Sequence, residues 1–195
     1  ELVEAAEWSA AILAFERSRA AREHALTLYN IGVCQRFLGR YTLARETFKA
    51  ALARGQSTGE MSALFIDQGN AYLKEIEGKL ARFSITLEPK SARVAIEGRP
   101  LTPSPGQPNV FVAGTAESGE GKPLELTHFE VLVDPRPMVL TFSLDGYDTI
   151  ELPKNPKGGS HEEVSVSMSQ QPSQLKVASN VPGAVVRVDG VDVGL

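Results

Sequence analysis

Apolar residues recur at two different periods along this chain, and the change from one to the other falls near residue 82. Before it, alanine and leucine return at helical spacing. Phe65, Gly69, Tyr72, Ile76, Leu80 and Phe83 follow one another at gaps of three and four, which puts them on one face of a helix. After it, short runs alternate apolar and polar residues, the period of a half-buried strand. The periodicity predicts four helices, roughly over 1–22, 25–38, 41–54 and 60–82, with breaks at Leu38-Gly39-Arg40 and at Gly55-Gln56-Ser57-Thr58-Gly59. Strands are predicted at 83–88, 93–97, 109–112, 129–133, 139–144, 149–152 and 163–168, then at 174–178 and 185–189. Runs this dense, separated by Gly, Pro and Asp turns, suggest a small sandwich or barrel. Residues 101–123, rich in Pro, Gly and Ser, read mostly as a long loop.

Composition sharpens that boundary. All twelve prolines lie after Phe83. Up to Arg82 there are eleven Lys and Arg against ten Asp and Glu; the remainder has nine against fourteen. The expectation is therefore an α+β chain in two parts, helices over 1–82 and strands over 83–195. The net charge of −4 argues against a nucleic-acid partner held by bulk electrostatics. No run reaches the roughly 18 apolar residues of a membrane-crossing helix. The chain begins inside a predicted helix and stops inside a predicted strand, as a fragment would. It carries no signal-peptide pattern, but a targeting segment would then lie outside it.

Two internal repeats stand out. In the helical part, Leu28-x2-Ile31-Gly32-x2-Gln35 is followed by Leu38-Gly39-x-Tyr41, then Ala44-x3-Phe48 and Ala51. This resembles the tetratricopeptide (TPR) pattern. Its closing proline is replaced by Gln56. Trp8, Ala11 and Phe15 echo Tyr41, Ala44 and Phe48, and Phe65-x2-Gln68-Gly69-x2-Tyr72 echoes the start of a third repeat. The resemblance implies a short superhelix closed by the helix at 60–82. It places Gly32 and Ala44 where the two helices of a repeat touch, and Phe48 towards the next repeat.

In the strand part, residues 85–101 and 175–193 align with one two-residue gap, pairing Ala92 with Ala184, Val94 with Val186, Ile96 with Val188, Glu97 with Asp189 and Gly98 with Gly190. These units resemble the PEGA domain, whose tetrapeptide stands here as Pro89-Lys90-Ser91-Ala92 and as the variant Val181-Pro182-Gly183-Ala184. Gly146-Tyr147 fits that family's second hairpin. The resemblance implies β-sandwich-like units over 83–172 and, truncated, over 173–195, and favours a bacterial cell envelope or periplasm, with a cytoplasmic location as the alternative.

Candidate chemistry is sparse. Gly114-Thr-Ala-Glu-Ser-Gly119-Glu-Gly121-Lys122-Pro123 imitates a phosphate loop, but its lysine is misplaced and Pro123 stands where the metal-binding hydroxyl belongs. His161-Glu162-Glu163 opens like a zinc-protease helix, yet Ser165 replaces the second histidine and the segment alternates as a strand. Asp189-Gly190-Val191-Asp192 is half a calcium loop at most, and a type I′ hairpin turn explains its Asp-Gly. The histidines, His24, His128 and His161, are far apart in sequence. The single cysteine, Cys34, excludes an internal disulfide and reads as a buried thiol. No catalytic residue, metal or cofactor is expected.

The reading that follows is a non-enzymatic interaction or scaffold module. By the TPR resemblance, a concave face would present Tyr29, Val33, Arg36 and Phe37 from one helix, and Ile66, Asn70, Leu73 and Lys74 from another, to a peptide or protein. Rival classes are a regulatory or sensory tail of a larger enzyme such as a protein kinase, and a carbohydrate- or cell-wall-binding β module. The latter would need exposed rings, and only Phe111, Phe129, Phe142 and Tyr147 follow Phe83.

Overall fold

The computed structural model describes residues 2–172, 177, 178, 180 and 184–194. Four helices come first: α1 (Leu2–Ala21), α2 (Ala25–Phe37), α3 (Tyr41–Thr58) and α4 (Ala63–Lys79). Each packs on the next, α1 on α2, α2 on α3 and α3 on α4. Small residues permit the close approaches. A Cβ on Gly32 would stand 3.1 Å from the Phe48 ring, and one on Gly69 would stand 2.9 Å from Leu52. Ala25, Ala44, Ala51 and Phe48 are fully buried around this seam.

Two predicted helix ends move. The third helix continues past Gly55, which packs so tightly on Met61 that a Cβ would lie 2.6 Å from its sulfur, and stops at Gly59 in the left-handed region, φ 71°. The fourth starts at Ala63 and ends at Lys79, not at 82, so Phe83 lies in a strand. Phe83 sits three residues after Leu80, which extends the helical stripe, but it also belongs to the alternation Ala81, Phe83, Ile85, Leu87. All four of these are buried. The strand period wins because burying that face contributes roughly 1.5–3 kcal/mol for each large side chain.

Among the described residues the strand part holds no α-helix. β1 (Ala81–Glu88) pairs antiparallel with β6 (His128–Val133) and parallel with β9 (His161–Ser167). With β4 (Thr102–Pro103) and β5 (Val110–Val112) they form a five-stranded mixed sheet in the order β4-β5-β6-β1-β9. A second sheet has the order β3-β2-β7-β8, from β2 (Arg93–Ile96), β3 (Arg99–Pro100), β7 (Met138–Ser143) and β8 (Ile150–Lys154). Alternate residues of both sheets meet in one core: Phe83, Ile85 and Leu87 from β1, Val131 and Val133 from β6, and Leu140 and Phe142 from β7. β3 and β4 were not predicted, since two residues carry no readable period.

β10 (Val186–Val188) and β11 (Val191–Gly194) form a separate hairpin. Its turn has φ 51° at Asp189 and 81° at Gly190, and the aligned Glu97 and Gly98 have 53° and 69°. Both acid–glycine pairs therefore make the same turn, with positive φ at both central residues, as a type I′ hairpin requires. The predicted strand at 174–178 and the tetrapeptide at 181–184 lie mostly outside the described residues.

The two parts are joined at α3 and β6. Leu132 alternates with the core residues Val131 and Val133, so it is buried on the opposite face, where α3 packs. Asp134, just past β6, accepts the Thr42 backbone N–H at 2.8 Å. Arg45, 3% exposed, bonds Glu77 of α4 and reaches Ser104 and Gln107 of the β4–β5 loop.

Candidate functional site

The eight residues expected on one open face separate into two groups. Tyr29 is 4% exposed and belongs to the helical core, with its ring 5.5 Å from Phe48, 5.3 Å from Phe65 and 6.3 Å from Tyr72. Burial and the neighbouring Tyr72 push its phenol up to about 12. Val33, Ile66 and Leu73 are half-buried against the same core. These four residues follow the 3.6-residue period that also marks a core face, so spacing alone could not tell groove from core. Phe37, Asn70 and Lys74 remain exposed, and Arg36 is half-buried beside them.

Arg36 and Phe37 stand at the centre of an ordered cluster. The Arg36 guanidinium reaches Glu75 through Nε at 3.0 Å and Nη2 at 2.5 Å. It also lies over the rings of Tyr72, at 4.7 Å, and Phe37, at 5.3 Å. Phe37 is 55% exposed and stacks on Trp8 of α1 at 4.4 Å and 4°. Lys79 binds the other Glu75 oxygen at 2.6 Å and lies over Tyr41. Lys79 and Arg36 together hold the Glu75 carboxyl below its usual range.

Trp8, Tyr41, Tyr72, Glu75 and Lys79 escaped the sequence reading as site residues. Their signal was present in part: Tyr72, Glu75 and Lys79 are three and four apart on α4, hence on one face. The arrangement offers a half-buried cation framed by aromatic faces, with an exposed lysine, Lys74, one turn away from Asn70 on the same helix. Such a surface suits a carboxylate or a peptide with an acidic group, and it holds no nucleophile or paired base.

Elsewhere the candidate chemistry resolves into structure. His24 caps α2, its Nδ1 accepting the Leu26 N–H at 3.2 Å. His161 opens β9 and pairs with the Ser84 hydroxyl, while His128 pairs with Thr86. Among the described residues no group of three or more His, Cys, Asp or Glu side chains could hold a metal ion. Cys34 is 3% exposed, and burial raises its thiol pKa, so it favours the unreactive protonated form. Residues 113–127, including the loop that imitates a phosphate site, form no strand or helix. Phe111, Phe129 and Phe142 are core residues and Tyr147 packs against that core, so they supply no open ring platform for a sugar.

No family model, curated protein or solved structure matches this chain. Among the described residues no helix is long and apolar enough to cross a membrane.

Proposed function

We propose that the helical part is a non-catalytic binding module for a peptide or protein carrying an acidic group, and that the strand units serve as spacers. The observation that carries this reading is the Arg36–Tyr72–Glu75 cluster beside the exposed, Trp8-stacked Phe37. Aromatic rings and arginine are the side chains most enriched at binding hot spots, and here they are already held in place, which lowers the ordering cost of association. Glu75 occupies Arg36 in the free state and is the group an incoming carboxylate would displace or bridge. The two families that the sequence resembles support the same reading, protein binding by TPR-like helices and envelope-facing PEGA-like units.

The test is selection of binding peptides from a random displayed library on the parent protein, repeated on the Arg36→Glu/Lys74→Glu variant. The parent should enrich acidic peptides, and the variant should lose them while its circular dichroism is unchanged. Equal enrichment on both baits would remove this face from consideration.

A further inference from the structure

A second site, which shares no lining residue with the Arg36 cluster, lies where the helices meet the sheets. A cleft of about 420 Å³ opens between the α2–α3 turn, the β2–β3 turn and the segment after β6. Three arginines line it: Arg40 from the helical turn, Arg99 from β3 and Arg136 from the β6–β7 connection. They are far apart in sequence and are gathered only by the fold. All three are exposed. Arg99 spends one N–H on the Ala116 carbonyl at 2.9 Å. Among the described residues the side chains of Arg40 and Arg136 make no hydrogen bond or ion pair; Arg136 acts on Asp134 through charge alone.

Neither acid in the lining makes an ion pair with these arginines. Glu97 accepts the Val139 N–H at 2.7 Å, and Asp134, 8% exposed, accepts the Thr42 N–H at 2.8 Å. Both carboxylates are thus engaged by backbone donors. Beneath the arginines the floor is apolar, with Ile96 and Met138 nearly inaccessible. The lining carries three guanidinium groups against two carboxylates that are already engaged by backbone donors.

We propose that this cleft binds an oxyanion, a carboxylate or phosphate, borne on a small apolar group. The guanidinium fork matches the oxygens of such a group in geometry and charge. The Ile96–Met138 floor takes the apolar portion. Because the ligand would touch the α2–α3 turn and both sheets at once, it would also tie the two parts of the chain together.

The test uses the full chain and three probes: inorganic phosphate, N-acetyl-leucine and the neutral N-acetyl-leucinamide. Amide resonances of Thr42 and Gly114, which border the cleft, are followed by NMR at matched ionic strength, since unspecific charge effects are screened by salt. Phosphate, N-acetyl-leucine or both should give saturable shifts, and N-acetyl-leucinamide should not. Saturation by phosphate alone assigns the cleft to phosphate-bearing ligands; saturation by N-acetyl-leucine alone assigns it to carboxylates with an apolar stem. The Arg40→Gln/Arg136→Gln variant should weaken binding by about tenfold or more, as loss of charge-assisted bonds requires. Arg136→Gln alone provides a milder variant should the double one fail to fold. Arg36→Glu/Lys74→Glu should bind as the parent does, which separates this site from the helical face. No saturation by either anion, equal binding of the amide, or undiminished binding by folded Arg136→Gln and double variants would overturn the proposal.

Discussion

Two helices of this chain take a cap from a carboxylate far away in sequence. The Ala25 N–H at the start of α2 donates to Glu60 at 2.8 Å, and the Thr42 N–H at the start of α3 donates to Asp134. Each satisfies a donor that the first turn of a helix leaves unpaired. Their surroundings set opposite pH behaviour. The Arg54 guanidinium bonded to Glu60, helped by the Ala25 N–H, lowers that carboxyl to about 2. Its stabilising effect is present above the ordinary glutamate value and is lost as the pH falls towards 2. Asp134 is shifted upward because burial disfavours its charge, an effect that the Thr42 N–H and Arg136 only partly offset. A raised carboxyl works the other way. Its contribution is fullest below the ordinary aspartate value and falls as the pH rises through the shifted one. Glu60→Gln should therefore lower the melting temperature near neutrality, with the deficit closing in strong acid. Asp134→Asn keeps an oxygen acceptor for Thr42 without the buried charge. It should melt at or above the parent near neutrality, with its advantage shrinking in acid. Thermal melts across the acid range check both signs. A large neutral deficit for Asp134→Asn would show that the ionised cap outweighs its desolvation.

At the scale of elements, the α2–α3 pair is held by contact between small and large residues. Ala44 is fully buried there, next to the Gly32–Phe48 contact. Ala44→Leu should cost about 1–3 kcal/mol through overpacking. Unchanged urea midpoint in that variant would mean that the helices can part without loss. The inner helices α2 and α3 and the principal strands were legible because each buries one face, and a buried face repeats at its own period. The ends were less legible. Phe83 satisfies both periods, and only the pairing of β1 with β6 and β9 decides between them. Gly55 reads as a turn residue by itself, yet Met61 needs its missing side chain inside α3. The acid–glycine turns were fully legible, since positive φ at two successive residues is a local demand.

For the molecule as a whole, the first strand unit closes, among the described residues, with ties that end before 172. Its last ties are the Tyr147–Gln170 bridge and the bonds Asp148 N–H to Ser169 and Gln171 N–H to Gly146. The later hairpin, β10 with β11, forms a sheet of its own, and two strands are marginal alone. Deleting everything after Pro172 should leave the melting temperature nearly unchanged. A drop of several degrees, on the order of 1 kcal/mol, would show that the final segment is integral to the first unit.

Periodicity, turn residues and proline distribution by themselves determined the four helices, the main strands, the α-to-β change and the repeated turn, because these depend on neighbours within a few positions. On α4 the sequence reading pointed to Ile66, Asn70, Leu73 and Lys74, whereas the residues that meet Tyr29 and Arg36 of α2 are Phe65, Tyr72 and Glu75. The pattern could not separate Tyr29, which the core claims, from Arg36 and Phe37 beside it, since exposure depends on what packs above. The Arg36–Glu75 pair, the caps from Glu60 and Asp134 and the gathering of Arg40, Arg99 and Arg136 came only with the tertiary structure. Each joins side chains separated by tens of residues. No local period encodes such a meeting; it follows from which faces the two cores bury and from the angle at which the helices then meet the sheet.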